Sequence, residues 1–328
     1  MELSPELVQK LQIGTVLVTG GAGFIGSHIV DRLVSCELDV RVLDNFSNGN
    51  LSNLKNSKDK KNFQLVKKNL EDFKALKKTL KDVKSVFHIA ANPEVRTGFD
   101  HPEISFKENI QNTFHLLEAI RQNDINTIVF ASSSTVYGEP EIIPTPESYG
   151  PLVPISPYGA SKLACEAMIS SYCHTYGING LIFRFANIIG SRSNHGVIVD
   201  FIKKLKTNSQ TLEVLGDGMQ SKSYLHVNDC IDSFFFCLSK LYKRIEMFNI
   251  GNDGITDVLT IAKIVCNCMG LKNVEIKTTG GVDGGRGWKG DVKIMQLDIT
   301  KLKKLGWMPK MSSNLAVEHA TKELLQEN

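Results

Sequence analysis

The chain has 328 residues, 42% of them hydrophobic, and its 38 basic and 35 acidic residues give a net charge of +3. This length can fill a sizeable core as one large domain or two medium ones. The even charge balance provides no broad basic surface for nucleic acid. No run approaches the roughly 18 apolar residues that span a bilayer, and residues 1–10 lack the pattern of a signal peptide. We therefore expect a globular cytoplasmic protein that binds neither nucleic acid nor membrane.

The seven cysteines are scattered through hydrophobic segments. Cys266 and Cys268 are separated by one residue, and no second pair completes a tetrahedral zinc site. We expect buried, reduced thiols and no metal.

Short apolar runs alternate with helical patterns over the first half of the chain. Val16 to Val18 enters a glycine-rich run, and Phe24 to Leu33 follows with apolar residues at helical spacing. Alternating strands and helices indicate a parallel sheet covered on both faces. We therefore predict an α/β fold with a Rossmann-type doubly wound sheet over residues 1–186. The other predicted strands are 40–43, 63–66, 85–89, 127–130 and 180–183, and the clearest helices are Glu103 to Gln122 and Tyr158 to Tyr176.

From Asn187 onward the alternation weakens, and glycine-bearing loops occur at 216–218 and 280–290. We predict a smaller, mixed α/β lobe over residues 187–328 that binds the substrate, with some of its segments returning to the first domain. The loop 280–290 is a predicted binding loop.

Three glycines follow the first strand at intervals of three residues: Gly20, Gly23 and Gly26. Such glycines permit a tight turn, a close approach of the backbone to a pyrophosphate, and close packing of helix on strand. The N-terminus of the following helix favours phosphate. Asp44, at the end of the second strand, is placed to accept hydrogen bonds from a ribose. Because no Arg or Lys occurs between Asp44 and Lys55, the pattern favours NAD over NADP.

Tyr158 and Lys162 lie four residues apart, so a helix places both on one face. A nearby ammonium favours the phenolate of a tyrosine, which can take the proton of a substrate hydroxyl while hydride leaves the same carbon for NAD. This spacing is common by itself. Ser133 adds specificity, because it follows a predicted strand and ligands bind at the carboxyl ends of strands in an open α/β sheet.

Six motifs occur in a familiar order along nearly the whole chain: Gly20-Gly21-Ala22-Gly23-Phe24-Ile25-Gly26, His88-Ile89-Ala90-Ala91, Ser132-Ser133-Ser134-Thr135-Val136-Tyr137-Gly138, Ser156-Pro157-Tyr158-Gly159-Ala160-Ser161-Lys162, Arg184-Phe185-Ala186-Asn187 and Gly216-Asp217-Gly218. The chain thereby resembles the extended short-chain dehydrogenase/reductase superfamily and its NAD-dependent epimerase/dehydratase family. Within that family it is most similar to archaeal-type UDP-glucose 4-epimerases.

The resemblance implies reversible C4 epimerisation of a UDP-hexose, interconverting UDP-glucose and UDP-galactose through a 4-keto intermediate with tightly bound NAD. Relatives pair through helices matching Glu103 to Gln122 and Tyr158 to Tyr176, so it also implies a homodimer. The implied catalytic residues are Ser133, Tyr158 and Lys162. The implied cofactor-binding residues are Gly20, Gly23, Phe24, Ile25, Gly26, Asp44, Asn45, Ser47, Leu70, Ala90, Ala91, Asn109, Tyr158, Lys162 and Phe185. The implied substrate-binding residues are Ser133, Tyr158, Asn187, Val197, Lys222, Arg286, Lys289 and Met295.

Dehydratases and decarboxylases of the superfamily carry an acid just before the Val-Tyr-Gly segment. The aligned positions here are Ser134 and Thr135. Neither side chain is acidic, which argues against dehydration.

The substrate lobe departs from the best-known bacterial pattern at two places. Lys222-Ser223-Tyr224 stands where that pattern has Arg-Asp-Tyr, and Trp288-Lys289-Gly290-Asp291 stands for Arg-x-Gly-Asp. A bidentate guanidinium is thus replaced by a point charge, and Arg286 or Lys289 must supply the charge for the diphosphate. By the same resemblance, Met295 occupies the position where the family often has a gating aromatic or small residue beside the sugar's C2 substituent.

Methionine is flexible, so Met295 leaves the choice between hexose and N-acetylhexosamine open. Alternatives are therefore another NAD-dependent nucleotide-sugar epimerase or reductase, acting on a UDP-N-acetylhexosamine or UDP-glucuronate, and more remotely a non-catalytic dinucleotide-binding regulator. His88 and His226 are interpreted as structural residues.

Overall fold

The computed structural model describes residues 4–11, 14–95, 97–240 and 243–327, with Lys10 and Thr97 described by their backbone alone. The chain forms two compact units. The first comprises Met1–Val136, Ser156–Arg184 and Ile231–Phe248, and the second comprises Tyr137–Ile155, Phe185–Cys230 and Asn249–Asn328. The sequence predicts one continuous first domain over 1–186. In the structure, residues 137–155 belong to the second unit.

The strands are β1 (Thr15–Thr19), β2 (Val40–Asp44), β3 (Phe63–Lys67), β4 (Val83–His88), β5 (Thr127–Ser133), β6 (Asn179–Phe185), β7 (Asn187–Ile189), β8 (Thr211–Val214), β9 (Ser221–Lys222), β10 (Tyr224–His226), β11 (Ile245–Ile250), β12 (Thr256–Asp257), β13 (Glu275–Thr278) and β14 (Ile294–Met295). The helices are α1 (Pro5–Leu11), α2 (Phe24–Ser35), α3 (Phe73–Thr79), α4 (Thr97–Asp100), α5 (Pro102–Ile104), α6 (Asn112–Gln122), α7 (Pro157–Tyr176), α8 (Val197–Thr207), α9 (Val227–Ser239), α10 (Val258–Cys268), α11 (Thr300–Leu305) and α12 (Ser313–Glu327). In the described part of the chain, none of these helices is both long and apolar enough to cross a membrane.

Seven strands form one sheet in the order β11-β6-β5-β4-β1-β2-β3. The central pairs are parallel, with Val16 opposite Val40 and Val18 opposite Phe87. The strand order reverses beside β1, since β2 and β3 lie on one side of it and β4 and β5 on the other. Ligands of doubly wound sheets bind at the carboxyl ends of the strands at this point. The predicted Rossmann-type fold is confirmed.

Helices cover both faces of this sheet with apolar side chains. On one face, Leu117 of α6 and Ile169 of α7 pack in a cluster with sheet residues that include Ile128. On the other face, Phe234 of α9 stacks on Phe87 at 5.6 Å between ring centroids. Five cysteines are buried and two are half-buried, and all seven have free thiols in this structure.

The helix predicted over Glu103 to Gln122 is continuous but not regular. Residues Ser105–Gln111 are wound as a π-helix between α5 and α6. Such segments are rare and often occur at functional sites. This one carries Asn109, a predicted cofactor-lining residue.

The second unit contains three small sheets with strand orders β10-β7, β12-β9-β14 and β13-β8. Its core is formed by α8, α10 and α12, where Phe201, Val265 and Val317 are buried together. Strand β14 pairs with β9, which places Met295 opposite Lys222. The lobe is mixed α/β, as the sequence predicts.

Candidate active site

The turn between β1 and α2 accepts glycine alone at two positions. Gly20 has a φ of +68°, and a Cβ there would lie 2.7 Å from the backbone of Ala90. A Cβ on Gly26 would lie 2.2 Å from the carbonyl oxygen of Gly20. The amide of Gly23 donates to that carbonyl at 3.1 Å. These contacts hold β1, the turn and α2 too close together for any side chain.

The N-terminus of α2 has no side-chain cap, because its N-cap residue is Gly23. In an α-helix each N–H donates to the carbonyl four residues earlier, so the amides of the first turn, Phe24 to Gly26, have no partner within the helix. Uncapped amides and the positive end of the helix dipole suit an anionic group such as a pyrophosphate. The turn therefore fits the phosphates of NAD.

Asp44 joins the end of β2 to this turn. It is only 6% exposed, and its two oxygens accept from the amides of Ala22 and Phe46, each at 2.8 Å. Burial raises the pKa of Asp44, while these two hydrogen bonds lower it. Each carboxylate oxygen has a second acceptor site, so a pair of ribose hydroxyls can still bind.

Five other predicted cofactor residues follow strand ends beside this turn. Asn45 and Ser47 come directly after β2, where the Asn45 side chain accepts from the amide of Ser47 at 2.9 Å. Leu70 comes after β3 and is buried, and Ala90 and Ala91 come after β4 and are half-buried. The structure therefore places these residues at the carboxyl edge of β2, β3 and β4.

Asn109 has its side-chain amide engaged by protein groups. Its Oδ1 accepts from the amide of Asn92 at 2.8 Å, and its Nδ2 donates to Ser161 Oγ at 2.8 Å. Ser161 in turn donates to the carbonyl of Tyr158 at 2.7 Å. Asn109 thus ties the segment after β4 to the first turn of α7. Asn92 was not predicted from the sequence, and Ser161 was predicted only as part of the motif around Tyr158, because short polar side chains carry no distinctive spacing.

Ser133, Tyr158 and Lys162 come together at the end of β5. The side chains of Ser133 and Tyr158 are hydrogen-bonded. Lys162 is 3% exposed, its Nζ donates to the carbonyl of Ala131 at 2.8 Å, and it lies 5.8 Å from the centroid of the Tyr158 ring. The three predicted catalytic residues therefore form one group.

Thr135, which stands in the segment where dehydratases carry an acid, also belongs to this group. Its Oγ1 donates to Ser133 Oγ at 2.9 Å, and its amide lies 3.2 Å from the same oxygen. With its oxygen accepting from Thr135, the Ser133 hydroxyl is free to donate its proton toward the Tyr158 oxygen. This arrangement suits a phenolate that accepts hydrogen bonds.

Burial dominates the electrostatics of the group. It raises the pKa of Tyr158 to about 12, against the opposing hydrogen bond from Ser133. Burial also lowers the pKa of Lys162 to about 8, against the nearby Cys165 and Glu166. For Tyr158 to ionise near neutral pH, further positive charge is needed, and the oxidised nicotinamide of NAD would supply it.

His88 is a structural residue of the sheet. Its two ring nitrogens hydrogen-bond to Thr19 Oγ1 at 2.8 Å and Thr113 Oγ1 at 2.9 Å. Burial, and secondarily the charge of Lys162, lowers its pKa to about 3. A ring that stays neutral and has both nitrogens engaged is not a proton carrier at neutral pH.

His226 lies with His319 and Glu323 in a cluster whose possible ligand atoms are within 4.8 Å of one another. Its Nδ1 accepts from the amide of Asn228 at 3.3 Å, and its Nε2 lies 3.0 Å from Glu323 Oε2. With Nδ1 accepting from that amide, Nε2 is the ring nitrogen that donates to Glu323. The cluster is therefore a hydrogen-bonded support between β10 and α12.

The second unit contains three basic residues that were predicted to bind the substrate, and two of them are in ion pairs. Lys222 Nζ lies 2.6 Å from Asp291 Oδ1, and Arg286 Nη2 lies 2.5 Å from Glu139 Oε1. Lys289 is exposed, and no ion pair involves its ammonium among the described residues. Of the three, Lys289 is the cation most available to an incoming diphosphate.

The remaining predicted substrate and cofactor residues also lie in the second unit. Asn187 begins β7 and its Nδ2 donates to the carbonyl of Ser223 at 3.3 Å. Val197 begins α8, Phe185 is buried at the end of β6, and Met295 is 8% exposed. The segment that carries Asn187 is thus fixed to the strand region that carries Lys222.

Comparison with known proteins agrees with this geometry. The model of the NAD dependent epimerase/dehydratase family matches residues 16–251. The chain is 36% identical over 318 residues to a proposed UDP-glucose 4-epimerase of Methanocaldococcus jannaschii, covering 95% of this chain and 99% of that protein.

Two solved structures are similar over nearly their whole length. The crystal structure of a UDP-galactose 4-epimerase is 42% identical, with a TM-score of 0.85 over 95% of this chain and 99% of the other. A UDP-N-acetylglucosamine 4-epimerase from Methanobrevibacter ruminantium M1, in complex with UDP-N-acetylmuramic acid, is 29% identical, with a TM-score of 0.85 over 97% of this chain and 100% of the other. Together with the match over residues 16–251, these similarities show that the chain belongs to the NAD-dependent epimerase/dehydratase family.

Proposed function

We propose that this chain catalyses the reversible C4 epimerisation of a UDP-hexose, interconverting UDP-glucose and UDP-galactose with tightly bound NAD. The observation that carries the proposal is the hydrogen-bonded group of Ser133, Tyr158 and Lys162 at the end of β5. It lies at the same sheet edge as the glycine turn after β1, with only β4 between the two strands. A proton acceptor and a dinucleotide turn on one edge suit alcohol oxidation.

The side chains of the group have distinct roles in this reaction. Tyr158 takes the proton of the sugar's 4-hydroxyl and returns it after the ring has turned. Ser133 hydrogen-bonds to the reacting oxygen, and Lys162 stabilises the phenolate and holds the nicotinamide ribose. The chemistry that bound NAD supplies is reversible hydride transfer at C4 of the sugar, so the complete cycle involves no net oxidation.

Epimerisation is favoured over dehydration by the turn that follows β5. Water elimination needs an acid or base at the neighbouring carbons, and the turn Ser134–Tyr137 contains no carboxylate. Its Thr135 hydroxyl is instead engaged with Ser133 at 2.9 Å. The site thus has groups for hydride and proton transfer at one carbon.

For the diphosphate of the substrate, we propose Lys289 as the principal contact, because Lys222 and Arg286 are already paired with carboxylates. The similarity to an N-acetylglucosamine epimerase and the flexible Met295 support a second candidate, a UDP-N-acetylhexosamine. A panel of UDP-galactose, UDP-N-acetylgalactosamine and UDP-galacturonate, with conversion of each to its C4 epimer measured, ranks the sugars.

The decisive assay is incubation of the purified protein with UDP-galactose while UDP-glucose is measured. Tyr158→Phe is expected to reduce turnover by at least about a hundredfold, with the fold retained by circular dichroism. Tyr172→Phe is the matched control, because Tyr172 lies on the same helix and donates to Glu118 at 2.7 Å. If no UDP-sugar is converted despite bound NAD, or if Tyr158→Phe stays active, the proposal is wrong.

A homodimer is part of the same proposal. The π-helical segment, α6 and α7 carry large exposed aromatic side chains, with Phe106 at 55%, Phe114 at 45% and Tyr176 at 49% exposure. Aromatic residues are enriched in protein interfaces. Light scattering coupled to size-exclusion chromatography should give twice the mass of one chain, and a mass of 36.4 kDa would contradict the proposal.

A further inference from the structure

A buried carboxylate on α7 is held by two residues with no part in the proposed reaction. Glu166 accepts from Ser132 Oγ at 2.5 Å and from Arg184 Nε and Nη2 at 3.0 and 2.7 Å. Each of the three residues is only 3% exposed. A buried ion pair contributes little net stability, because the loss of hydration offsets the attraction. The placement of this pair is therefore better explained by what it does for its neighbours.

Three successive residues of β5 contact three residues of α7 spaced four apart. Residues at this spacing lie on one face of a helix, so the three contacts form a row along the helix. Two of the contacts involve the proposed catalytic residues Tyr158 and Lys162. The third, at Glu166, fixes the rotation of α7 about its axis relative to β5. The contacts join Ala131 to Lys162, Ser132 to Glu166 and Ser133 to Tyr158.

Few groups share the charged environment of Lys162. On α7 these are Tyr158, Cys165 and Glu166. His88 of β4 also interacts with the ammonium electrostatically, and Arg184 of β6 neutralises Glu166. Cys165 and Glu166 both oppose the effect of burial on the pKa of Lys162. Burial raises the pKa of the Cys165 thiol, and Glu166 is the carboxylate in this set.

We propose that Glu166 is a positioning residue for the epimerase reaction: it fixes α7 against the end of β5 and supplies the negative charge that keeps Lys162 protonated beside Tyr158. The inference rests on the proposed function for the role of Tyr158 as base. The protonation of Lys162 itself can be measured without turnover.

The first experiment titrates Lys162 by NMR of lysine-labelled protein, with its signal assigned by Lys162→Met. Glu166→Gln keeps the shape of the side chain but removes its charge and leaves Arg184 as an unneutralised cation. Since an opposite charge within a few ångströms shifts a pKa by about 1 to 3 units, the pKa of Lys162 should fall by about one unit or more.

Asp232→Asn is the matched control. Asp232 is also buried, at 4% exposure, and accepts from Arg32 Nη1 and Nη2 at 3.1 Å each, but it does not act on Lys162. This variant should lose similar thermal stability and leave the Lys162 titration unchanged. An unchanged Lys162 titration in Glu166→Gln, or an equal shift in Asp232→Asn, overturns the inference.

The second experiment compares pH profiles of kcat for UDP-galactose. Glu166→Gln should lower kcat by about tenfold or more with KM changed by less than about twofold. Because the Lys162 ammonium favours the Tyr158 phenolate, easier loss of the lysine proton should make the deficit in kcat grow as the pH rises through the lowered pKa of Lys162. A mere displacement of the helix would lower kcat equally at all pH values and would refute the electrostatic role.

Glu166→Asp separates charge from position. It retains the carboxylate with a shorter reach, so the Lys162 titration should return toward that of the wild type while kcat recovers only in part. Failure of the titration to return would contradict the proposal. If the wild-type protein converts no UDP-sugar, the proposed function fails, and the NMR titration still decides whether Glu166 controls Lys162.

Discussion

Burial of the Lys162 ammonium should cost this protein stability in a strongly pH-dependent way. The pKa of Lys162 falls from its ordinary value of 10.5 to about 8 in the folded protein. Each pH unit corresponds to about 1.4 kcal/mol, so the burial cost amounts to about 3 kcal/mol. This is a large fraction of the 5–15 kcal/mol that is typical of folded domains.

The sign follows from proton binding in the two states. Below about pH 8 both the folded and the unfolded chain carry the charged ammonium, and the cost is present in full. Between about pH 8 and pH 10.5 the unfolded chain binds more protons at this site, so the stability of the wild-type protein rises relative to a variant without the ammonium.

The assay is urea denaturation of wild-type protein and Lys162→Met at about pH 7 and about pH 10.5, with the free energy of unfolding obtained by linear extrapolation. The advantage of the variant should shrink by about 3 kcal/mol between the two conditions. Lys58→Met, at an exposed lysine, controls for general effects of alkaline pH. A difference between wild type and Lys162→Met that does not change with pH would refute the reasoning.

Three further predictions follow from the site. Gly26→Ala should abolish NAD retention, because its Cβ would lie 2.2 Å from the Gly20 carbonyl oxygen. The control Gly254→Ala should retain NAD, because its Cβ would lie 3.8 Å from the nearest atom. Equal NAD content in the two purified variants would contradict the close packing. Thr135→Val should lower kcat by about tenfold without changing KM, because it removes the hydroxyl that orients Ser133. Steady-state kinetics with UDP-galactose measure both constants. An unchanged kcat would exclude this role for Thr135. Lys289→Met should raise the KM for UDP-sugars by about tenfold, because it removes one hydrogen bond to a charged group. Lys277→Met is the control at another exposed lysine. An equal KM in the two variants would exclude Lys289 from the diphosphate site.

Local patterns were sufficient to predict the sheet and the position of the glycine turn. The buried strands read as short apolar runs, and β1, β2 and β5 fall where those runs do. Gly20 and Gly26 were predictable because a close backbone approach leaves glycine as the residue that fits. The helical spacing of Tyr158 and Lys162 is likewise a local property. Each of these features depends on neighbours within one strand, turn or helix.

Other features arise from contacts between residues far apart in the chain. The pairing of Glu166 with Arg184, and of Arg286 with Glu139, joins segments whose charges carry no sequence signal for one another. The assignment of residues 137–155 to the second unit also depends on tertiary packing. The sequence predicted Lys222, Arg286 and Lys289 alike as substrate-binding residues. The structure shows that Lys222 and Arg286 are paired with carboxylates.

The sequence by itself determined the fold class, the dinucleotide turn and the identity of the Tyr158 and Lys162 pair, because these depend on periodicity and on residue types within a few positions. Only the tertiary structure decided the protonation environment of that pair. Burial raises the pKa of Tyr158 against the hydrogen bond from Ser133, and burial lowers the pKa of Lys162 against the nearby Cys165 and Glu166. The burial of both groups and the approach of Ser133 depend on how distant segments pack.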